Sequence, residues 1–131
     1  MSTVIDQLKQ FIEEVKEEIG VEVTRQLIDR TPVDTGWAQS NWIGTLDRPF
    51  QTTAGTRKEA EAGRLDTRTA FEGIQSFRRN RIGQRIWITN NVPYIVLLNQ
   101  GSSRQAPPMF VETAIANGIR RALANVSRRR T

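Results

Sequence analysis

The sequence predicts an α+β domain: a long N-terminal amphipathic helix, a small, mostly antiparallel sheet, and a C-terminal helix packed on that sheet. Three observations carry this. Val4, Leu8, Phe11, Ile12, Val15, Ile19, Val23 and Leu27 recur at helical spacing. Arg85 to Thr89 (R-I-W-I-T) alternates and is rich in β-branched and aromatic residues, as strands are. Pro107-Pro108 precedes a second apolar stripe made of Phe110, Ala114, Ile115, Ile119, Ala122, Leu123 and Val126.

The first stripe predicts a helix from about Thr3 to Asp29, ended at Thr31-Pro32 because a proline pushes the residue before it out of the α region. At 1.5 Å per residue such a helix is about 40 Å long. A domain of this length has a radius of gyration of only about 14 Å. Either part of the stripe needs a neighbour, or Gly20 breaks or bends the helix.

Thr31 to Gly36 (T-P-V-D-T-G) reads as a turn, in which Asp34 or Thr35 can cap a short helical turn beginning near Trp37. Asn41 to Leu46 reads as a strand. The polar stretch 47–63, with Pro49 and Gly55, reads as a loop that a partner could order. Asp66 to Arg79 suits a second helix, with Ala70, Phe71, Ile74 and Phe77 on one side. After the strand at 85–89, Tyr94 to Asn99 suits a buried strand or a short helix. Gly101, placed as a helix C-cap, favours the helix. The last helix runs from Pro108 to about Val126, and 127–131 reads as a basic tail.

The length of 131 residues fits one domain, 1–131. Hydrophobic residues make up 37% and charged residues 25%, which suits a folded domain with a modest core. Met1 to Asp6 carries an acid where a signal peptide needs a positive region and an apolar run, so neither a signal peptide nor a membrane span is expected. The chain has no Cys and no His. That removes disulfides, thiolate nucleophiles, the commonest general base and the commonest metal ligand. No catalytic residue, cofactor or metal is expected.

Sixteen of the nineteen basic residues are Arg, a bias toward planar, bidentate partners. The charge is uneven: residues 1–34 hold eight acids and four bases, whereas 112–131 hold five Arg and one acid. This describes either two solvated faces of opposite sign or complementary surfaces between copies, or toward an acidic partner. Arg78, Arg79, Arg81 and Arg85, together with Arg128, Arg129 and Arg130, form a candidate basic surface for phosphates. No aromatic residues interleave with these runs as in a stacking platform, so a solvated or protein-facing patch competes with nucleic-acid contact.

Other motifs weigh as follows. Asp34-Thr35-Gly36 matches the active-site triplet of aspartic proteases, which would act as a homodimer sharing a proton between two aspartates. It follows a long helix and a Thr-Pro rather than lying on a strand, and a capped turn outweighs the catalytic reading. Trp37, Trp42 and Trp87 read as core, with at least one of the first two partly exposed. Glu13-Glu14 and Glu17-Glu18 read as a solvated helix face. Tyr94 reads as core with a bonded hydroxyl, or as an interface anchor.

Two segments taken together resemble a family. T-P-V-D-T-G-W-A-Q-S-N-W (31–42) and I-T-N-N-V-P-Y-I-V-L-L-N-Q-G-S-S-R-Q-A-P-P-M-F (88–110) are similar to the tail-completion, or neck, proteins of long-tailed bacteriophages. These small minor tail and head–tail joining proteins pair a long N-terminal helix with a Pro-Val-Asp-Thr-Gly turn. They later carry a strand, Asn-x-x-Pro-Tyr, a short apolar segment ending in Gly, and a Pro before a final helix. Order and spacing agree over about residues 4–125. The family is often acidic two or three residues before that Gly, whereas Leu98-Asn99-Gln100 is uncharged, so no salt bridge carries over. Residues 47–80 match no motif.

The resemblance implies an α+β fold and a homo-oligomeric ring, a hexamer by analogy. It places the ring in the virion at the head–tail junction, assembled in the host cytoplasm. The implied partners are further copies of the chain, a head-side connector or stopper protein, and a tail-tube or tail-terminator protein. DNA in the lumen is a further implied contact. The structural and interface candidates are Pro32, Asp34, Thr35, Gly36, Trp37, Pro93, Tyr94, Gly101, Arg104 and Pro107. The segment 90–110 is expected to fix the angle between sheet and last helix, with Arg104 its leading polar contact. A basic DNA-binding module is the alternative, and a DTG protease the remote one.

Overall fold

A computed structural model of the chain describes residues 3–32, 36–102 and 107–130. The architecture is α+β, and its framework is two long antiparallel helices. Helix α1 spans Val4–Arg30 without interruption. Thr3 opens it with a reciprocal cap: Asp6 N–H donates to Thr3 Oγ1 at 3.1 Å and Thr3 N–H donates to Asp6 Oδ2 at 3.2 Å. At its end Thr31 turns to extended backbone while its N–H still donates to Leu27 O at 3.1 Å, and Pro32 follows, buried. Gly20 neither breaks nor bends the helix into two. It gives a seat to Phe77, whose Cδ2 lies 2.8 Å from where a Cβ would stand.

Helix α5 spans Phe110–Arg129 and packs along α1 with Ala114, Gly118, Ala122 and Val126 facing inward. The expected basic tail is therefore helix through Arg129. Its arginines find acids on α1 in Glu18 and Glu14, so the helix outlasts its apolar stripe.

Strand β1 (Ile43–Leu46) pairs antiparallel with β2 (Ile86–Thr89), in register from Ile43 opposite Thr89 to Leu46 opposite Ile86. Thirty-nine residues separate the strands, so this is a closed excursion rather than a hairpin. The excursion holds α2 (Arg57–Glu61) and α3 (Arg68–Ser76). Helix α3 lies on β1, where Gly44 and Gly73 meet backbone to backbone. The polar stretch 47–63 is thus partly helical. Thr56 caps α2 by accepting from Glu59 N–H at 3.1 Å. Helix α4 (Ile95–Asn99) takes the helical option for 94–99.

The main core joins Val21, Val23, Leu27 and Ile28 of α1 to Trp42, Ile74 and Phe77, with Phe110 and Ala114 of α5. Partly buried Leu46, Ile86 and Ile88 of the sheet pack against it, so the start of α5 and the sheet share one core. A second, smaller cluster gathers Trp37, Ala38, Ala60 and Val92.

Candidate functional site

The two motif segments, separated in sequence by residues 43–87, meet in that second cluster. The rings of Trp37 and Tyr94 sit 5.9 Å apart, tilted by 57°, a favourable arrangement for aromatic pairs. Val92, Leu98 and Ile95 pack around them, and Ala60 of α2 belongs to the same cluster.

Amide side chains tie the pieces together through backbone groups. Asn90 Nδ2 donates to Ala38 O at 2.9 Å, while its Oδ1 accepts from Val92 N–H at 3.1 Å and sets the turn into Pro93-Tyr94. Asn91 Nδ2 donates to Phe50 O at 2.6 Å and Thr52 O at 3.0 Å. Buried Asn41 donates to Trp37 O at 2.8 Å and Ala54 O at 3.1 Å, and accepts from Ala54 N–H at 2.6 Å. Asn41 and Asn91 thereby hold the 47–56 loop onto the joint, and Asn90 ties its two segments of sequence together. Trp42 Nε1 donates to Thr31 Oγ1 at 2.7 Å and Gln39 Nε2 to Ile28 O at 3.2 Å, which fixes the turn after α1.

The exit from α4 follows the same logic. Ser102 N–H donates to Leu97 O at 3.2 Å and Gly101 N–H to Leu98 O at 3.1 Å, the two bonds of a Schellman ending. Gly101 has φ +102°, the left-handed conformation that this ending requires, and Pro108 packs against it. Asn99 then clamps the start of α5. Its O accepts from Met109 N–H at 2.6 Å, its Oδ1 from Val111 N–H at 2.9 Å, and its Nδ2 donates to Glu112 Oε1 at 2.9 Å. A neutral amide, two residues before Gly101, thus orients the start of α5.

Of the sequence candidates, Pro32 is buried at the end of α1, Gly101 ends α4, and Trp37 and Tyr94 are parts of this joint. Pro93 and Pro107 are exposed beside it. Gly36 has φ +82° and leads into Trp37. Asp34, Thr35 and Arg104, and with them the protease triplet and the Arg104 contact, lie outside the described residues. Both Trp37 and Trp42 are buried, at 8% and 6% exposure, contrary to the expectation that one would be partly open. Ala60 of α2 packs in the cluster that buries Trp37, and Trp42 belongs to the main core. The sequence reading missed α2 and the roles of Asn41, Asn91 and Asn99. The Asn-x-x-Pro-Tyr spacing pointed to Asn90 alone.

The basic candidates are split. Arg78 pairs with Glu17 at 3.5 Å, Arg129 with Glu18 at 3.1 Å and Arg130 with Glu14 at 2.6 Å, while the Arg130 guanidinium stacks 4.6 Å from the Phe11 ring centroid. The opposite charges of the two chain ends thus meet within one molecule. Glu18 is not on a solvated face. Glu18 and Glu22 are about 5% exposed, because α5 arrives over them with Asn125, whose Nδ2 donates to Glu18 Oε1 at 3.0 Å and Glu22 Oε1 at 3.3 Å. Arg25, Arg78, Arg128 and Arg129 line the same open cavity of about 420 Å³. Arg79, Arg81 and Arg85 stay exposed between α3 and β2, with no acidic partner among the described residues. No group of three or more metal-ligating side chains gathers among the described residues. No helix there is long and apolar enough to cross a membrane.

No family model, curated protein or solved structure matches the chain.

Proposed function

We propose that the chain is a structural virion protein. It completes the tail of a long-tailed phage and joins it to the DNA-filled head as part of a homo-oligomeric ring at the neck. The observation that supports this is the Trp37–Tyr94 joint: the two segments that resemble the tail-completion family form one unit. The residues there act by shape, through prolines, a positive-φ glycine and amide-to-backbone bonds. This is what a part that presents a fixed surface to neighbours needs, and it supports a non-catalytic role. Its partners would be further copies of itself, a head-side connector or stopper, and a tail-tube or terminator protein.

The test is genetic and visual. A nonsense mutation in the gene should leave filled heads and uncompleted tails unjoined, and added purified protein should restore joining. Electron microscopy should show ring-sized particles on tail ends. A strictly monomeric protein that binds no tail, with normal joining in its absence, removes the reading.

A second reading, DNA contact, has one observation in its favour: the exposed Arg79, Arg81 and Arg85, which form no ion pair among the described residues. Changing all three to Ala should lower the slope of log K against log salt by about 2.7, from about 0.9 per phosphate contact. An unchanged slope removes it.

A further inference from the structure

Helix α1 is covered by its own chain along only part of its length. Helix α5 runs antiparallel to it and ends at Arg129 and Arg130, which meet Glu18 and Glu14. Residues 3–12 continue beyond that point, and every one of them is exposed. The apolar stripe does not stop there: Val4, Ile5, Leu8, Phe11 and Ile12 carry on the line, with exposures of 72% at Val4, 55% at Leu8 and 59% at Ile12. The continuous helix prevents this arm from folding back on its own body.

A second unpartnered stripe lies on α5. Ile115, Ile119 and Leu123 repeat every four residues beside the line that faces α1, each more than a third exposed. Arm and stripe each span about 12 Å at 1.5 Å per residue, and two such i, i+4 ridges are what helices interdigitate.

We propose that the arm of one copy docks on the Ile115–Ile119–Leu123 stripe of a second copy. The two surfaces differ, so the contact is heterologous and repeats head to tail. The arm exposes on the order of 500 Å² of apolar side chain, in the range of a monomer's largest and often functional patch, and the α5 stripe about 200 Å². With apolar atoms supplying about 60% of an interface, that implies about 1,200 Å² in total, the lower edge of stable interfaces. One contact alone is weak, and closing a ring gives every copy two. A lipid surface fits the arm poorly, because Lys9 is its only basic residue, whereas interfacial helices are rich in Lys and Arg. The inference rests on the self-association in the proposed ring and adds the surfaces that make it.

The chain has no Cys, so introduced thiols report cleanly. Full-length protein carrying Leu8→Cys and Ile119→Cys is mildly oxidised and resolved on a denaturing gel. The expected result is a ladder extending beyond dimer, at least roughly tenfold above either single variant. Leu8→Cys alone giving dimers as efficiently means arm-to-arm pairing and overturns the inference. So does a stronger ladder from Leu8→Cys with Leu97→Cys, which places the arm on α4, or no ladder at all. In sedimentation, Leu8→Glu with Ile12→Glu should weaken self-association roughly tenfold or more while leaving the melting temperature at monomeric dilution unchanged, since both positions are exposed. Unweakened association also overturns it. Rings that persist on tails in this double variant would spare the neck reading and remove this interface. Cross-linking of the Leu8→Cys, Ile119→Cys protein as expected, with wild-type protein never joining heads to tails, would do the reverse.

Discussion

Replacing Gly118 by Ala sets two effects of opposite sign against each other. In an exposed helix interior the change should stabilise by about 1 kcal/mol, because Ala is the better helix former. Gly118, however, lies where α5 comes closest to α1. A Cβ there would stand 2.6 Å from Val23 Cα and 2.8 Å from Val23 N. These are backbone atoms and cannot rotate away. The helices must part by roughly 1 Å to restore ordinary contact, which is enough to forfeit a large part of the dispersion attraction between the facing residues. Ala114, Ala122 and Val126 line that seam, and Asn125 reaches Glu18 and Glu22 across it. Overpacking costs about 1–3 kcal/mol, and a backbone obstacle puts this case at the upper end. Subtracting the propensity gain leaves a net loss of about 2 kcal/mol. For a domain of this size that is a fall in Tm of roughly 6–10 °C. Urea denaturation should show a lower midpoint with an unchanged m value. If Gly118→Ala is neutral or raises the midpoint, the close crossing of α1 and α5 is wrong, and with it the placement of the arm beyond the end of α5.

Two further perturbations probe the joint and the buried acids. Asn41→Ala removes one acceptor and two donors, stranding the partly buried Ala54 N–H and C=O. A loss of about 2–3 kcal/mol is expected, with faster proteolysis confined to 47–56, and uniform loss of protection across the chain would contradict a local role. Asn125→Leu takes away the amide shared by Glu18 and Glu22 and should cost about 1–3 kcal/mol. Adding Glu18→Leu should recover part of that loss, because an apolar pair of similar volume often replaces a buried polar one. A double-mutant cycle with no coupling would show that the three groups act separately.

What was legible in the sequence was whatever depends on a neighbourhood of a few residues. The stripe from Val4 to Leu27, the alternation at 85–89 and the Pro-Pro before Phe110 each encode an element by local periodicity, and α1, β2 and α5 follow. Gly101 was legible as a helix end because the ending needs a left-handed residue and little else. Helix α2 was not, because its one buried residue, Ala60, is too little for a periodic signal. Its place is set by Trp37, which the chain brings over it from twenty residues upstream.

The same distinction explains the charges. Glu13-Glu14 and Glu17-Glu18 look alike in sequence, and Glu18 is buried while its neighbours are not, because only its face receives Asn125 and Arg129 from more than a hundred residues away. Charge asymmetry between the chain ends was correctly seen, but sequence cannot say whether opposite charges meet within a molecule or between molecules. Here they meet within: Arg78, Arg129 and Arg130 are each engaged by α1. That shifts the search for an assembly surface from charge to apolar area. Exposed surface ion pairs contribute about 0–1 kcal/mol each, whereas burying a Leu or Ile contributes about 1.5–3 kcal/mol. Val4, Ile5, Leu8 and Ile12, the four arm residues more than half exposed, therefore outweigh the exposed arginines as a driving force for self-association. Salt should accordingly weaken contact between copies far less than it weakens any contact with DNA.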